Sequence, residues 1–243
     1  MKQKNNELSI SAIITVHAEG SLAAISYQSF NEACLYAEAR GVSVERILVL
    51  DNPSDQTQRV FDALEGVVIL ETNYGDQGLV RNKAVNTASG DLIAFLDGDD
   101  LWGDNWLYKA REHLLNEGEN VIAHPEFGWF FQGVSSVFIN TDQRDPVFKE
   151  DFLRFGNYWD AMCMAYRSLH LANPYCKRRI SDGFAFEDWH WNCHTISNGA
   201  EHHVVADTIH FKRRRNNSQT SEASGNNSLM PNTELTDYRR QSS

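Results

Sequence analysis

The chain has 243 residues, 42% of them hydrophobic, and a formal net charge of −11. That length suits one α/β domain with a sizeable core. The acidic balance argues against general nucleic-acid binding, which needs a basic surface, but leaves a phosphorylated small ligand open. The first seven residues are polar and no apolar segment approaches membrane-spanning length, so neither a signal peptide nor a transmembrane helix is expected. Cys34, Cys163, Cys176 and Cys193 show no close pairing and read as reduced thiols of a cytosolic protein.

Leu8 to Val16 is apolar and β-branched, the pattern of a central strand. His17-Ala18-Glu19-Gly20 breaks it. Leu22 to Arg40 carries Leu22, Ile25, Phe30, Ala33 and Ala37 at helical spacing, and Gly41 stops that helix. Arg46 to Leu50 is a second strand, ending at Asp51-Asn52-Pro53-Ser54-Asp55. Thr57 to Leu64 is a short helix, Val67 to Glu71 a third strand, and Gly75 to Ala88 a loop and helix closed by Ser89-Gly90. A fourth strand from Leu92 ends in Asp97-Gly98-Asp99-Asp100. Strands alternating with helices predict βαβ units and a parallel sheet with right-handed crossovers.

Past Trp102 the pattern changes. Asn105 to Asn116 reads as an amphipathic helix, Val121 to His124 as a strand, and Trp129 to Ile139 as a hairpin or strand pair. Thr141 to Asp151 reads as a loop, and the aromatic-rich stretch Asp151 to Leu171 as mostly helical. Asp182-Gly183-Phe184 is a turn, Glu187 to Ile196 a helix and His203 to Phe211 a late strand. Residues 216–243, rich in Ser, Asn, Thr and Gln, read as a flexible tail or linker after a domain spanning 1–215.

The acidic strand end is the chemical centre of the sequence. In open α/β sheets the carboxyl ends of the strands are where ligands bind. Three like charges in four positions repel, and a divalent cation such as Mg²⁺ or Mn²⁺ would relieve them; a solvated, helix-capping turn is the plainer alternative. Asp51 should lie on the same rim, where a carboxylate can accept from a nucleobase N–H or ribose hydroxyls, or simply form an Asx turn before Pro53. Arg81 and Lys83 follow the Gly75 loop and are candidates for diphosphate contacts. Glu187-Asp188 opens a helix, where acids also serve as caps. His190 and His194 share a helix face without a third ligand and read as structural or surface residues. His210 precedes Lys212-Arg213-Arg214-Arg215, a basic cluster suited to a diphosphate or to plain solvent.

Over roughly residues 8 to 220 these segments resemble the glycosyltransferase family 2 enzymes of GT-A fold. Ile13-Ile14-Thr15-Val16-His17-Ala18-Glu19 is similar to the family's opening strand, with Thr15 and Ala18 where a proline and an asparagine are usual. Leu50 to Thr57 is similar to its Asp-Asp-Gly-Ser-Thr-Asp-Gly-Thr segment, without the first aspartate and both glycines. Asn73-Tyr74-Gly75 with Val80-Arg81-Asn82 resembles its Asn-x-Gly…Ala-Arg-Asn segment. Ala94 to Trp102 resembles its Asp-x-Asp motif, and Phe186-Glu187-Asp188-Trp189 its x-Glu-Asp motif.

The resemblance implies an α/β, Rossmann-like single domain with a mostly parallel central sheet flanked by helices. Its nucleotide-binding half would cover about 8–102 and its acceptor half about 103–215. It implies that Asp51 recognises the base and that Gly75, Arg81, Asp97 and Arg213 serve the donor. Asp99 and His210 would hold Mn²⁺ or Mg²⁺, Asp188 would be the catalytic base, and Gly183, Glu187 and Trp189 would lie on the acceptor side. The implied reaction is inverting transfer of a sugar from a nucleoside-diphosphate donor to a glycan, lipid-linked or other hydroxyl acceptor. The setting would be bacterial surface-polysaccharide assembly in the cytoplasm or at the inner membrane face. Two rivals are a sugar-phosphate nucleotidyltransferase, which would want a Gly-rich basic loop where His17 to Leu22 stands, and a non-catalytic nucleotide-sugar or glycan-binding module.

Overall fold

Strand alternation decides which helix meets which acid. A computed structural model describes residues 8–214, 223 and 225–237. Its first half follows the predicted order: β1 (Ile10–Val16), α1 (Leu22–Glu38), β2 (Val44–Asp51), α2 (Asp55–Phe61), β3 (Val68–Thr72), α3 (Gln77–Thr87) and β4 (Leu92–Asp97). β3, β2, β1 and β4 pair in that order, all parallel. Successive side chains point to opposite faces of a strand. On β4, Leu92, Ala94 and Leu96 join the apolar layer under α1, while Ile93 and Phe95 join the layer under α3. Asp97 continues the second set and therefore projects toward α3.

α1 buries Ala23, Ser26, Phe30, Ala33, Cys34 and Ala37, at steps of three, four or one, while Ile25 of the predicted stripe is 54% exposed. Its end is set by Gly41 at φ +81°, a conformation open to glycine at no steric cost. α3 starts at Asp76, whose carboxylate accepts from the Leu79 N–H at 3.0 Å.

The second half continues with β5 (Leu101–Trp102), α4 (Trp106–Glu117), β6 (Val121–Phe131), β7 (Ser136–Ile139), β8 (Met164–Tyr166), α5 (Arg167–Ala172), α6 (Glu187–Ser197) and β9 (Glu201–Arg213). It extends the sheet to β3-β2-β1-β4-β8-β6-β9-β5, with β7 on β6. β6 and β9 run with the first four strands, while β8, β5 and β7 run against them, so six of nine strands share one direction. β6 outruns the predicted Val121–His124 because a bulge between Pro125 and Phe127 absorbs the missing proline N–H.

Two expectations need correction. Asp151 to Leu171 is not mostly helical: it holds most of a 3₁₀ turn (Glu150–Arg154), β8 and all but the last residue of the short α5. Its aromatic rings pack on one another, Phe152 on Tyr158 and Tyr158 on Trp159, rather than lining a helix face. Residues 225–237, part of the stretch read as a flexible tail, return to the body. The Leu229 N–H donates to the Gly183 carbonyl and the Ala185 N–H to the Leu229 carbonyl. Met230 and Leu235 pack against the cluster of Leu153, Trp159 and Cys193. Two apolar side chains suffice to anchor a segment whose average composition is polar. Residues 215–222, 224 and 238–243 lie outside the described residues.

Candidate active site

Three small constructions meet along the carboxyl rim of the sheet. The first is the Asp51 loop. The Asp51 carboxylate accepts from Thr72 Oγ1 at 2.9 Å and from the N–H groups of Tyr74 and Gly75 at 2.7 and 2.8 Å. The His17 ring bonds its backbone carbonyl. Gly75 adopts φ +61°, which this turn demands and glycine adopts freely. Asp51 is thus held by the end of β3 and the loop that follows it, with a fourth lone-pair direction left for a ligand.

The second is an ionic bridge through Arg81. α3 turns Arg81 inward, where it is 3% exposed. Its guanidinium donates to Asp97 Oδ1 at 2.8 Å and to Glu187 Oε1 at 3.1 Å. The two carboxylates hold Arg81 charged more firmly than usual, against the cost of burial. The bridge ties β4 to the first turn of α6. That turn begins at Phe186, a non-glycine residue at φ +65°, a conformation that costs energy and recurs where geometry is functionally fixed. Asp188 follows Glu187 and accepts from the Trp189 N–H at 2.8 Å. Burial, reinforced by the Glu187 charge, pushes the Asp188 carboxyl up to about 7; Arg81 and the Trp189 N–H only partly offset this.

The third is the acidic turn itself. Gly98 is required there, because a Cβ would meet the Thr15 carbonyl oxygen and Val16 Cγ2, both at 2.9 Å. The three acids find cations within the chain. Arg81 serves Asp97. Lys212 lies 3.4 Å from Asp100 and 3.0 Å from Asp160. Arg213 gives its N–H to Asp100 at 2.7 Å and brings its guanidinium to 4.0 Å from Asp99. Burial and the neighbouring aspartates still push Asp100 up to about 7. Burial would also raise Asp160, but Lys212 and His210 outweigh it and hold that carboxyl at about 2. Charge repulsion alone therefore does not require a metal. Asp97 and Asp99 remain hard-oxygen donors at the surface, their side chains 22% and 16% exposed, of the kind Mg²⁺ and Mn²⁺ accept.

Not every expected site residue joins this rim. His210 is 1% exposed, with the Trp106 ring edge-on at 4.6 Å, and burial drives its pKa down to about 3. Both its ring nitrogens lack a hydrogen-bond partner. Trp189 donates its indole N–H to the Leu153 carbonyl and packs into the third apolar cluster. Gly183 caps a 3₁₀ turn at φ +81° beside Leu229. Arg214 lies with its guanidinium over the Phe130 ring, and Arg215 is outside the described residues.

Sequence reasoning passed over two side chains here. Asp160 sits in a stretch expected to be helical. Arg178, in the run Lys177-Arg178-Arg179, donates to the Gly75 carbonyl at 3.1 Å, and its Nε lies 3.9 Å from Asp76 Oδ2, which also accepts from its backbone N–H at 2.9 Å. That basic run was the signal available.

An open, mostly parallel α/β sheet flanked by helices, with acids at two parallel strand ends and an acid pair opening a helix, is an arrangement of GT-A type. The solved structure of S. aureus TarS 1–349 in complex with UDP-GlcNAc is similar, with TM-score 0.64 and 14% identity, covering 88% of this chain and 61% of that one. The same protein with UDP gives TM-score 0.63, at 14% identity over 86% of this chain and 61% of that one. The glycosyl transferase family 2 model matches residues 11–165, more than half of the chain. The chain belongs to glycosyl transferase family 2. It is also 38% identical over 77 residues to TuaG of Bacillus subtilis (strain 168), a glycosyltransferase named for teichuronic acid biosynthesis. That match covers 29% of this chain and 30% of TuaG, so the chain spans less than two thirds of these relatives.

Proposed function

We propose that the chain transfers a sugar from a nucleoside-diphosphate donor to an acceptor hydroxyl with inversion, with Asp188 as the base. The observation that carries this reading is the Asp97–Arg81–Glu187 bridge, which fixes the acid pair of α6 beside the acidic turn. A carboxyl poised at about 7 is well matched to accept a proton near neutral pH. The acceptor oxygen attacks the anomeric carbon as its proton passes to Asp188. The bond to the diphosphate oxygen breaks, and the electron pair leaves with the diphosphate. The sugar carbon gains oxocarbenium character, as in other glycosidic bond chemistry.

Charge growing on the leaving diphosphate needs cationic partners. Arg178, beside the Gly75 loop and paired with Asp76, and Arg213, at the acidic turn, are the cationic side chains nearest to hand for it. A divalent cation held by Asp97 and Asp99 would add Lewis-acid stabilisation of the same charge. His210 belongs to the core in this reading rather than to that ion. The fourth lone-pair direction of Asp51 is left to the nucleobase.

The likeness to TuaG, named for teichuronic acid biosynthesis, supports a role in cell-surface glycan synthesis; a glycan or lipid-linked acceptor met at the cytoplasmic membrane face is part of the same proposal. Among the described residues no helix is long and apolar enough to cross a membrane. The test is a panel of nucleotide sugars, with and without Mn²⁺ or Mg²⁺. Release of nucleoside diphosphate supports the proposal. Pyrophosphate formed from a sugar phosphate and a nucleoside triphosphate would indicate a nucleotidyltransferase, and binding without turnover a recognition module.

A further inference from the structure

A second set of ligand-type side chains lies away from the acidic turn. His113 and Glu117 are four residues apart on α4 and so share one helix face. β9 brings His203 against that face. His113 Nε2 is 3.3 Å from His203 Nδ1, and Glu117 Oε2 is 3.8 Å from the same nitrogen. One ligand atom from each residue lies within 4.8 Å of the others. Zn–N and Zn–O bonds of about 2.0–2.2 Å make the edge of a tetrahedron about 3.3–3.6 Å, close to these separations.

The surroundings orient the donors. His203 is 2% exposed, and its Nε2 lies 2.9 Å from Glu201 Oε2. A carboxylate can only accept, so the ring proton sits on Nε2 and the Nδ1 lone pair turns toward His113 and Glu117. A carboxylate behind a histidine is the arrangement that fixes metal-binding imidazoles. Arg144 lies 3.7 Å from Glu117 Oε1, leaving Oε2 to the histidines, and is itself held by Asp142 at 2.8 Å. A hydrogen bond between the two rings would satisfy one pair but leave the carboxylate of Glu117 aimed at a lone pair. A cation satisfies all three groups. Glu117 is exposed and His113 half-buried, which gives an ion a path in.

We propose that His113, Glu117 and His203 form a binding site for a borderline divalent ion of the Zn²⁺ class, with Glu201 as the positioning residue behind His203. Two imidazoles and one carboxylate suit such an ion, with water in the fourth position. The site staples the last turn of α4 to β9. It is separate from the acidic turn: His203 and Arg213 pair with Ala123 and Phe131, eight residues apart on β6, roughly 25 Å.

The test uses the full chain stripped with EDTA and dialysed, without nucleotide. Zn²⁺ is titrated by calorimetry and Co²⁺ by its visible absorption. The expected result is uptake of one equivalent, with a rise in Tm. Uptake is lost in His113→Ala and Glu117→Gln, partly exposed positions whose circular dichroism should match the parent. Glu201→Gln weakens binding by about 10–100-fold, and Asp99→Asn retains it. No uptake by the parent overturns the proposal. So does uptake that survives His113→Ala and Glu117→Gln, or that is abolished by Asp99→Asn.

Discussion

Arg81→Met removes a side chain that joins the acidic turn to α6. The guanidinium is 3% exposed and makes charge-assisted bonds of 2.8 and 3.1 Å to Asp97 and Glu187. Its loss leaves two carboxylates facing a dry position, and breaking a buried pair from one side costs about 3–5 kcal/mol. For a chain of this size each kcal/mol moves Tm by about 2–4 °C, so a fall of roughly 6–20 °C is expected. Lysine keeps the charge but cannot span both acids, so Arg81→Lys should recover only part of the loss. Urea unfolding followed by tryptophan fluorescence measures the change. Adding Glu187→Gln to Arg81→Met should recover about 0.5–3 kcal/mol, since the two side chains are in contact. The reasoning fails if Arg81→Met costs under about 1 kcal/mol, the range of an exposed ion pair.

Gly98→Ala places a methyl group 2.9 Å from the Thr15 carbonyl oxygen and should cost about 1–3 kcal/mol, read from the same unfolding curves. Asp99→Ala should fold normally and lose metal-dependent nucleotide binding; equal UDP affinity in EDTA and in Mn²⁺ for the parent would refute the metal assignment. In pH dependence, kcat/KM should climb with pH and level off above about 7, because Asp188 must be ionised to act. The same shift has a stability sign. The Asp188 carboxyl is raised when folded, so its contribution is complete below the ordinary aspartate range near 4 and is lost as pH rises through about 7. Comparing parent and Asp188→Asn unfolding across pH 4 to 8 should show a larger loss in the parent, since Asp100, raised in the same way, contributes to both.

The nucleotide-side half was legible because β1, β4 and the end of β2 are buried on both faces and read as unbroken apolar runs. Asp97 could be placed at a strand end on that basis. Its partner could not, because Arg81 and Glu187 lie 106 residues apart and meet only through the sheet face that strand alternation assigns to α3. The acidic turn suggested a cation, but Lys212 and Arg213, named only as a diphosphate cluster, turn out to answer part of its charge. His210 shares its strand and was grouped with them by proximity. The Trp106 ring, supplied by α4, covers it instead. The second half misled for a related reason. β8 is three residues long, too short for any periodicity, and its identity comes from filling the gap between β4 and β6.

The transfer rate of Asp188→Asn tests the central claim most directly. Asparagine keeps the size and the acceptor oxygen for the Trp189 N–H, but it cannot take a proton near neutral pH. The variant should fold and bind donor about as well as the parent, while its turnover at saturating acceptor falls by about 10²–10⁴-fold, the range of a lost general base. Near-parental turnover would contradict the account and move the base elsewhere, with Glu187 the next group to test.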